Sequence, residues 1–360
     1  MNRFLVMLFL CAPIYVVAAA PYTPQSNDEV IAHWPIAASD NVQSLKTASR
    51  LHPENPAAVV ALANAYFAQA SQPGQSRFYG LAQAALKPSI DKNIPDTNLW
   101  LAWAQVQQHQ HNFVIAQAAI AKVLEKDPAN INANLLAARI FIIQDKAAAA
   151  RNACLKLLGT ADLLTVTTCS LEANSYLHPN DLKNTYHQLA DMVKREGLPN
   201  DERATWLIQL LADLALRNQE PAVADEWLAL RFSNASVNYL AQWADVKLAL
   251  NNPQAVIAQL SPIVKNAPDM DDSLLLRLAL AEKKLNLQPQ WQTQLTERIQ
   301  LREQRQDSLH ASDLASYYLD IAPNPERALF WAKANFSNTR EFNDKKLLAR
   351  AQQLNQSKEM

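Results

Sequence analysis

The sequence predicts an all-α solenoid, an α/α superhelix of about seven helical hairpins stacked side by side. Three observations predict it. Apolar residues recur at helical spacing in short, paired runs along most of the chain. Those pairs repeat, most plainly from Thr97 to Asn130, a block of 34 residues (130 − 97 + 1) after which a second block of the same design begins at Ile131. Only 4 of the 360 residues are glycine, against roughly 25 at an average usage of about 7%. So few residues at ease with positive φ disfavour a β-rich fold of tight turns and favour helices joined through Pro and Asn.

Within the block, Leu99, Trp100, Trp103 and Val106 mark one amphipathic run, and Ile115, Ala116, Ala119, Ile120, Val123 and Leu124 mark a second. A polar turn from Gln108 to Asn112 separates them, and Pro128 ends the second helix because it lacks an amide donor and clashes with the preceding turn. Counting Thr97 as position 1, Trp100 takes position 4, Ala104 position 8, Ala116 position 20, Leu124 position 28 and Pro128 position 32. Period and positions together resemble the tetratricopeptide repeat, which implies a right-handed superhelix whose paired helices approach closely at small residues in positions 8 and 20. Trp103 at position 7 and Gln107 at position 11 depart from that pattern, so the resemblance is to the fold family and to no functional subclass.

The chain opens with Arg3, an apolar run from Phe4 to Val17 and then small residues, which reads as a secretory signal peptide over residues 1–19, with cleavage after Ala18 or Ala19. An uncleaved anchor is the alternative, though Phe4 to Ala20 is at the lower length limit for a membrane span. A lipoprotein would need a small residue before Cys11, where Leu10 stands. The expected location is therefore a bacterial-type periplasm or the exterior. Residues 20–39, with Pro21, Pro24 and Pro35, read as an extended lead-in. Export would leave Cys154 and Cys169 where thiols oxidise. Cys154 falls on the second helix of the hairpin that begins at Ile131, and Cys169 on the first helix of the next, so a disulfide is expected, with two buried free thiols as the alternative.

Residues 40–200 read as the N-terminal repeats. A lone helix from Asp40 to Leu51 precedes a hairpin of Ala58 to Ala70 and Arg77 to Leu86, the latter limited by Pro88. After the central pair of blocks the period loosens beyond Gly159, and Gly197 to Asn200 marks a break. Residues 201–354 read as degenerate repeats that end in a charged capping helix, and 355–360 as a polar tail. The ordering of the pieces resembles a group of exported bacterial tetratricopeptide repeat proteins of no assigned activity. The residues that carry this likeness are Leu62 to Phe67, Ser76 to Leu86, the two cysteines, Leu274 to Glu282 and Asp307 to His310. That resemblance brings no catalytic motif with it.

With 33 basic and 34 acidic residues the chain has no electrostatic reason to bind nucleic acid or an anionic membrane. His109 and His111 point apart on a helix, lack a third ligand and read as solvated turn residues, so no metal or cofactor is expected. Asp269 to Asp272 lack the glycine and distal glutamate of a calcium loop, and Asp271 or Asp272 is expected to cap the following helix. No serine sits in a glycine-flanked elbow and no compact lobe is available for catalysis, so the chain is read as no enzyme. What remains is recognition. The concave face that the repeat resemblance implies nominates Asn64, Phe67, Leu101, Gln105, Gln108, His109, Arg139 and Ile142 as a mixed amide, apolar and basic surface for a protein or peptide partner. The expected role is an adaptor for assembly or maintenance of a cell-envelope complex. A glycan-active or glycan-binding solenoid, hinted at by the 8 tryptophans, is the runner-up.

Overall fold

The computed structural model describes Ser26 and residues 40–359. The expected signal peptide lies outside the described residues, as does the lead-in apart from Ser26. Residues 40–359 belong to one compact unit whose regular structure is entirely helical. A single helix α1 (Asp40–Leu51) leads. Four hairpins follow: α2 (Pro56–Ala70) with α3 (Arg77–Asp91), α4 (Thr97–His109) with α5 (Phe113–Lys126), α6 (Ile131–Ile143) with α7 (Ala147–Leu155), and α8 (Leu163–Leu177) with α9 (Leu182–Glu196). The second half adds α10 (Arg203–Arg217) with α11 (Pro221–Ala229), α12 (Val237–Ala249) with α13 (Pro253–Asn266), α14 (Asp272–Lys284) with α15 (Gln290–Gln304), and α16 (Ala311–Asp320) with α17 (Pro325–Asn338), before α18 (Phe342–Glu359) closes the array. Among the described residues the hairpins number eight, in keeping with the roughly seven the sequence suggests, and the loosened stretch between Gly159 and Glu202 forms the pair that the sequence places there.

Five hairpins turn in the same way. His111, Asp145, Gln219, Asn251 and Asn286 take left-handed φ values of 51–63° directly after a first helix. The amide of the following residue then bonds five residues back, as Asn112 N–H does to Gln107 O at 2.8 Å and Lys146 N–H to Phe141 O at 2.8 Å. This Schellman closure satisfies carbonyls at the helix end, and in four of the five the next helix starts two residues after the left-handed one. Helix starts are equally explicit: Asp96, Asn130 and Asp162 accept from Leu99, Ala133 and Thr165 amides at 2.8, 3.0 and 3.0 Å. Pro56, Pro221, Pro253 and Pro325 each fill a first helical position, where no donor is needed.

Each first helix packs on the first helix of the next hairpin, from α2 through α16 to α18, which lines one continuous inner face. Close approach depends on alanine: Ala63, Ala104, Ala116 and Ala150 are fully buried and Ala138 nearly so. The apolar core divides into two clusters and α8 contributes to both: Val166, Cys169 and Ala173 pack with the earlier repeats and Leu171 with the later ones.

Three local expectations are corrected. Pro88 sits inside α3 and the helix runs on to Asp91, because Pro88 removes only one amide and falls in the last turn. The polar tail is helical through Glu359 as a continuation of α18. Asp271 occupies the N-cap of α14 without bonding its own helix; its carboxylate instead accepts the Gly74 amide at 2.7 Å. Asp272, also expected as a cap, accepts from Arg298 and Arg302 on α15.

The Asp271 contact joins residues 197 apart in sequence. Beside it, Val237 N–H donates to Ser71 O at 3.0 Å, and further along the array Arg340 N–H donates to Ile143 O at 2.7 Å. The solenoid therefore completes a turn and closes on itself. At the first closure the chain needs glycine: Gly74 has φ of +71°, and a Cβ there would lie 2.4 Å from Asp269 O. Burial pushes the Asp271 carboxyl up from 3.8 to about 6, helped by Asp269 and Asp272 and opposed by the Gly74 amide and Arg298.

Cys154 and Cys169 are bonded, with Cα atoms 5.5 Å apart, and tie α7 to α8. Thiol titration of the unfolded protein without reductant should find no free sulfhydryl from this pair, and Cys154→Ala with Cys169→Ala should lower unfolding stability by about 3 kcal/mol. Gly74→Ala should cost at least about 2 kcal/mol in a urea melt, since the side chain must displace backbone. A raised carboxyl contributes stability that is full below its unfolded pKa and lost as pH rises through the folded one. Asp271→Asn keeps an acceptor for Gly74 and should gain on wild type, by on the order of 2 kcal/mol, between pH 4 and pH 7.5. A stability difference that stays flat over that pH range would refute this assignment.

Candidate functional site

The inner face of the first helices carries a polar ladder whose rungs repeat with the fold. Arg139 on α6 meets Glu172 on α8 at 3.6 Å, and Glu172 accepts from the Trp206 indole on α10 at 3.1 Å, 34 residues on. Gln209 and Gln242 pair at 3.1 Å across 33 residues, and Asp245 takes Arg277 at 2.8 Å across 32. One helix position repeated in register gives one side-chain contact per hairpin. Arg277 also reaches Asp313 on α16 at 3.7 Å.

At the first rung of this ladder the chain returns. Glu341, one residue before α18, takes both terminal nitrogens of Arg139, at 2.7 and 3.1 Å. Arg217 lies below, 4% exposed, bonded to Asp213 at 3.2 Å and to the Ser175 carbonyl at 2.7 Å. Its guanidinium packs on Tyr176 at 4.5 Å and on Phe342 at 5.3 Å. Glu341 holds the Arg139 guanidinium charged well above its ordinary value. Burial pushes the Glu172 and Asp213 carboxyls up against the pull of Arg139 and Arg217, and does the same to Asp344, which takes the Glu341 amide at 2.9 Å. The cluster is deep in the fold yet wet, since the Arg139 side chain is 45% exposed.

The residues nominated from the sequence divide. Phe67, Tyr79 and His109 form an aromatic row, with ring centres 6.3 Å and then 3.3 Å apart. His109 stays open to water inside the ring of helices, and the surrounding protein, His111 and His310 together lower it to about 4, so it is neutral at physiological pH. His111 is the left-handed residue of its turn and stacks on Phe113 at 5.5 Å, with burial lowering it as well. The pair are thus ring-packed neutral imidazoles and more than solvated turn residues. Asn64 and Gln105 are exposed, and Gln108 and Leu101 half-buried. Ile142 departs from the nomination: it is 2% exposed and belongs to the core, because its place on α6 turns it away from the inner face. Glu172, Tyr176, Arg217, Glu341 and Phe342 were not nominated. The 33- and 34-residue spacing from Arg139 to Glu172 to Trp206 could have found the first of them; nothing local in the sequence points to the last two.

No group of His, Cys, Asp and Glu able to hold a metal is found among the described residues. No family model matches the sequence, and no curated protein matches it. Among solved structures, a tetratricopeptide repeat protein from Parabacteroides merdae is 12% identical and covers 87% of this chain and 99% of its own, with a TM-score of 0.37. The tetratricopeptide domain of P58(IPK) is likewise 12% identical, covering 88% of this chain and 99% of its own, with a TM-score of 0.25.

Proposed function

We propose that this chain is an exported scaffold that holds an extended segment of another protein along its inner face, in the assembly or maintenance of a cell-envelope complex. One observation carries the reading. Asn64, Gln105 and Gln108 stand on successive first helices beside the Phe67–Tyr79–His109 row, and among the described residues none of the three amide side chains has a hydrogen-bond partner. Amides that both donate and accept, next to flat apolar rings, suit a peptide main chain and its side chains. Export is supported by the N-terminal sequence and by the Cys154–Cys169 bond, which suits an oxidising compartment. Among the described residues no helix is long and apolar enough to cross a membrane.

The glycan reading is less well supported, because the tryptophans among the described residues are engaged. Trp103, Trp243, Trp291 and Trp331 are buried. Trp100, Trp206 and Trp227 are half-buried and donate to Ile94 O, Glu172 and Tyr186 at 2.9, 3.1 and 3.1 Å. Sugar platforms need a free ring face. We therefore assign the chain no catalytic step.

A photo-cross-linking residue placed at Asn64 or Gln105 in the cell should yield discrete adducts with an envelope protein, while the same residue at Glu125 on the outer helix α5 should not. Adducts from Glu125 alone would remove the inner face as the site. Release of muropeptides by the purified mature protein would replace the scaffold reading with the enzymatic one.

A further inference from the structure

The segment between α17 and α18 is seated on the inner face as a bound peptide would be. Thr339 is extended (φ −121°, ψ 133°). The next residue, Arg340, makes a main-chain bond to Ile143 O at 2.7 Å. Glu341 fills the fork of Arg139 with two bonds, a geometry that reads a carboxylate specifically. Phe342 lays its ring on Arg217, and Lys345 reaches Asp145 at 2.6 Å. Thus a main-chain bond, a paired acid and a stacked ring all come from consecutive residues.

We propose that the inner face of α6, α8 and α10 is a recognition site for an acidic residue followed directly by an aromatic one in a partner protein, and that Glu341–Phe342 of this chain occupies it until the partner displaces them. The inference rests on the peptide-binding reading above and names the chemistry of the ligand. Two features make the occupant displaceable. Phe342 is 41% exposed, so part of its ring is already in water. The core contacts of α18, through Leu347, Leu348 and Ala351, lie beyond the seated residues, so release does not unpack the last hairpin. Exchange then replaces like with like, and tethering of the resident segment sets the apparent affinity.

The test uses the full mature chain and a fluorescent peptide of its own residues 337–346, SNTREFNDKK, added in trans. Glu341→Ala with Phe342→Ala should bind this peptide at least tenfold tighter than wild type. A further Arg139→Ala, or a peptide carrying Gln for its Glu, should lose tenfold or more. Circular dichroism and the melting midpoint confirm that each variant is folded, and Phe342→Ala alone, which keeps the ion pair, gives an intermediate gain. Equal binding by wild type and the emptied variant, no binding by either, or binding that survives Arg139→Ala would each overturn the proposal. Cross-links retained at Gln105 alongside such a result would leave the peptide-binding reading standing and remove this one alone.

Discussion

The structure depends on how closely two helices of a hairpin can approach. Buried alanines at Ala104 and Ala116 in one hairpin, and at Ala138 and Ala150 in the next, let backbones come together where any larger side chain would force strain of about 1–3 kcal/mol. That approach in turn demands a turn too short for ordinary backbone. The chain meets it with left-handed His111, Asp145, Gln219, Asn251 and Asn286, in place of the glycine such positions favour. Each costs on the order of 1–2 kcal/mol of local strain. The cost is offset by the paired carbonyls of the closure and by burial of the apolar face against the next hairpin. The stagger between hairpins recurs as well, also where that turn is absent, and side chains 32 to 34 residues apart meet along the inner face.

A solenoid stabilised by neighbours alone would remain open-ended. This one is also fastened at residues about 200 apart, by Gly74 with Asp271 and by Arg139 with Glu341. The fastenings are polar and partly wet. Ion pairs of that kind add little stability individually, so their effect is to choose one curvature for the array. Within that curvature Glu172, Asp213 and Asp344 are crowded enough for burial to disfavour their charged forms, and arginines on two helices balance them.

Much of the hairpin architecture was legible in the sequence, because apolar spacing, stops and small residues are local signals: paired apolar runs mark the helices from Thr97 and from Ile131, Pro128 a stop, Ala104 and Ala116 a close pair. The disulfide was legible because helix order alone puts Cys154 and Cys169 on adjacent elements. Asp271 misled, since an N-cap position and an acidic side chain normally go together, and only the returning chain shows that Gly74 claims the carboxylate. Ile142 misled for a related reason. Repeat position predicts orientation for an ideal hairpin, whereas the packing actually formed by α6 decides which residue is covered. Glu341 and Phe342 could not be read at all, because their partners lie about 200 and 125 residues away and no periodicity links a linker to a helix face.

The inner surface consequently has two walls of different character. On α2 and α4, with Tyr79 of α3, it offers a row of rings and amides that have no hydrogen-bond partner among the described residues; on α6, α8 and α10 it offers arginines already engaged. Only Thr339, Arg340 and Glu341 separate α17 from α18, and three residues span at most about 10 Å when extended. That tether is long enough for Glu341 to leave the Arg139 fork, once the first turn of α18 loosens, and short enough to hold it at millimolar effective concentration. A ligand that touched only the arginine wall would therefore compete poorly. Under the peptide-binding reading proposed above, one that first engages the amide wall would gain binding energy before displacing the resident residues, so the two walls together would select an extended partner over a short acidic one.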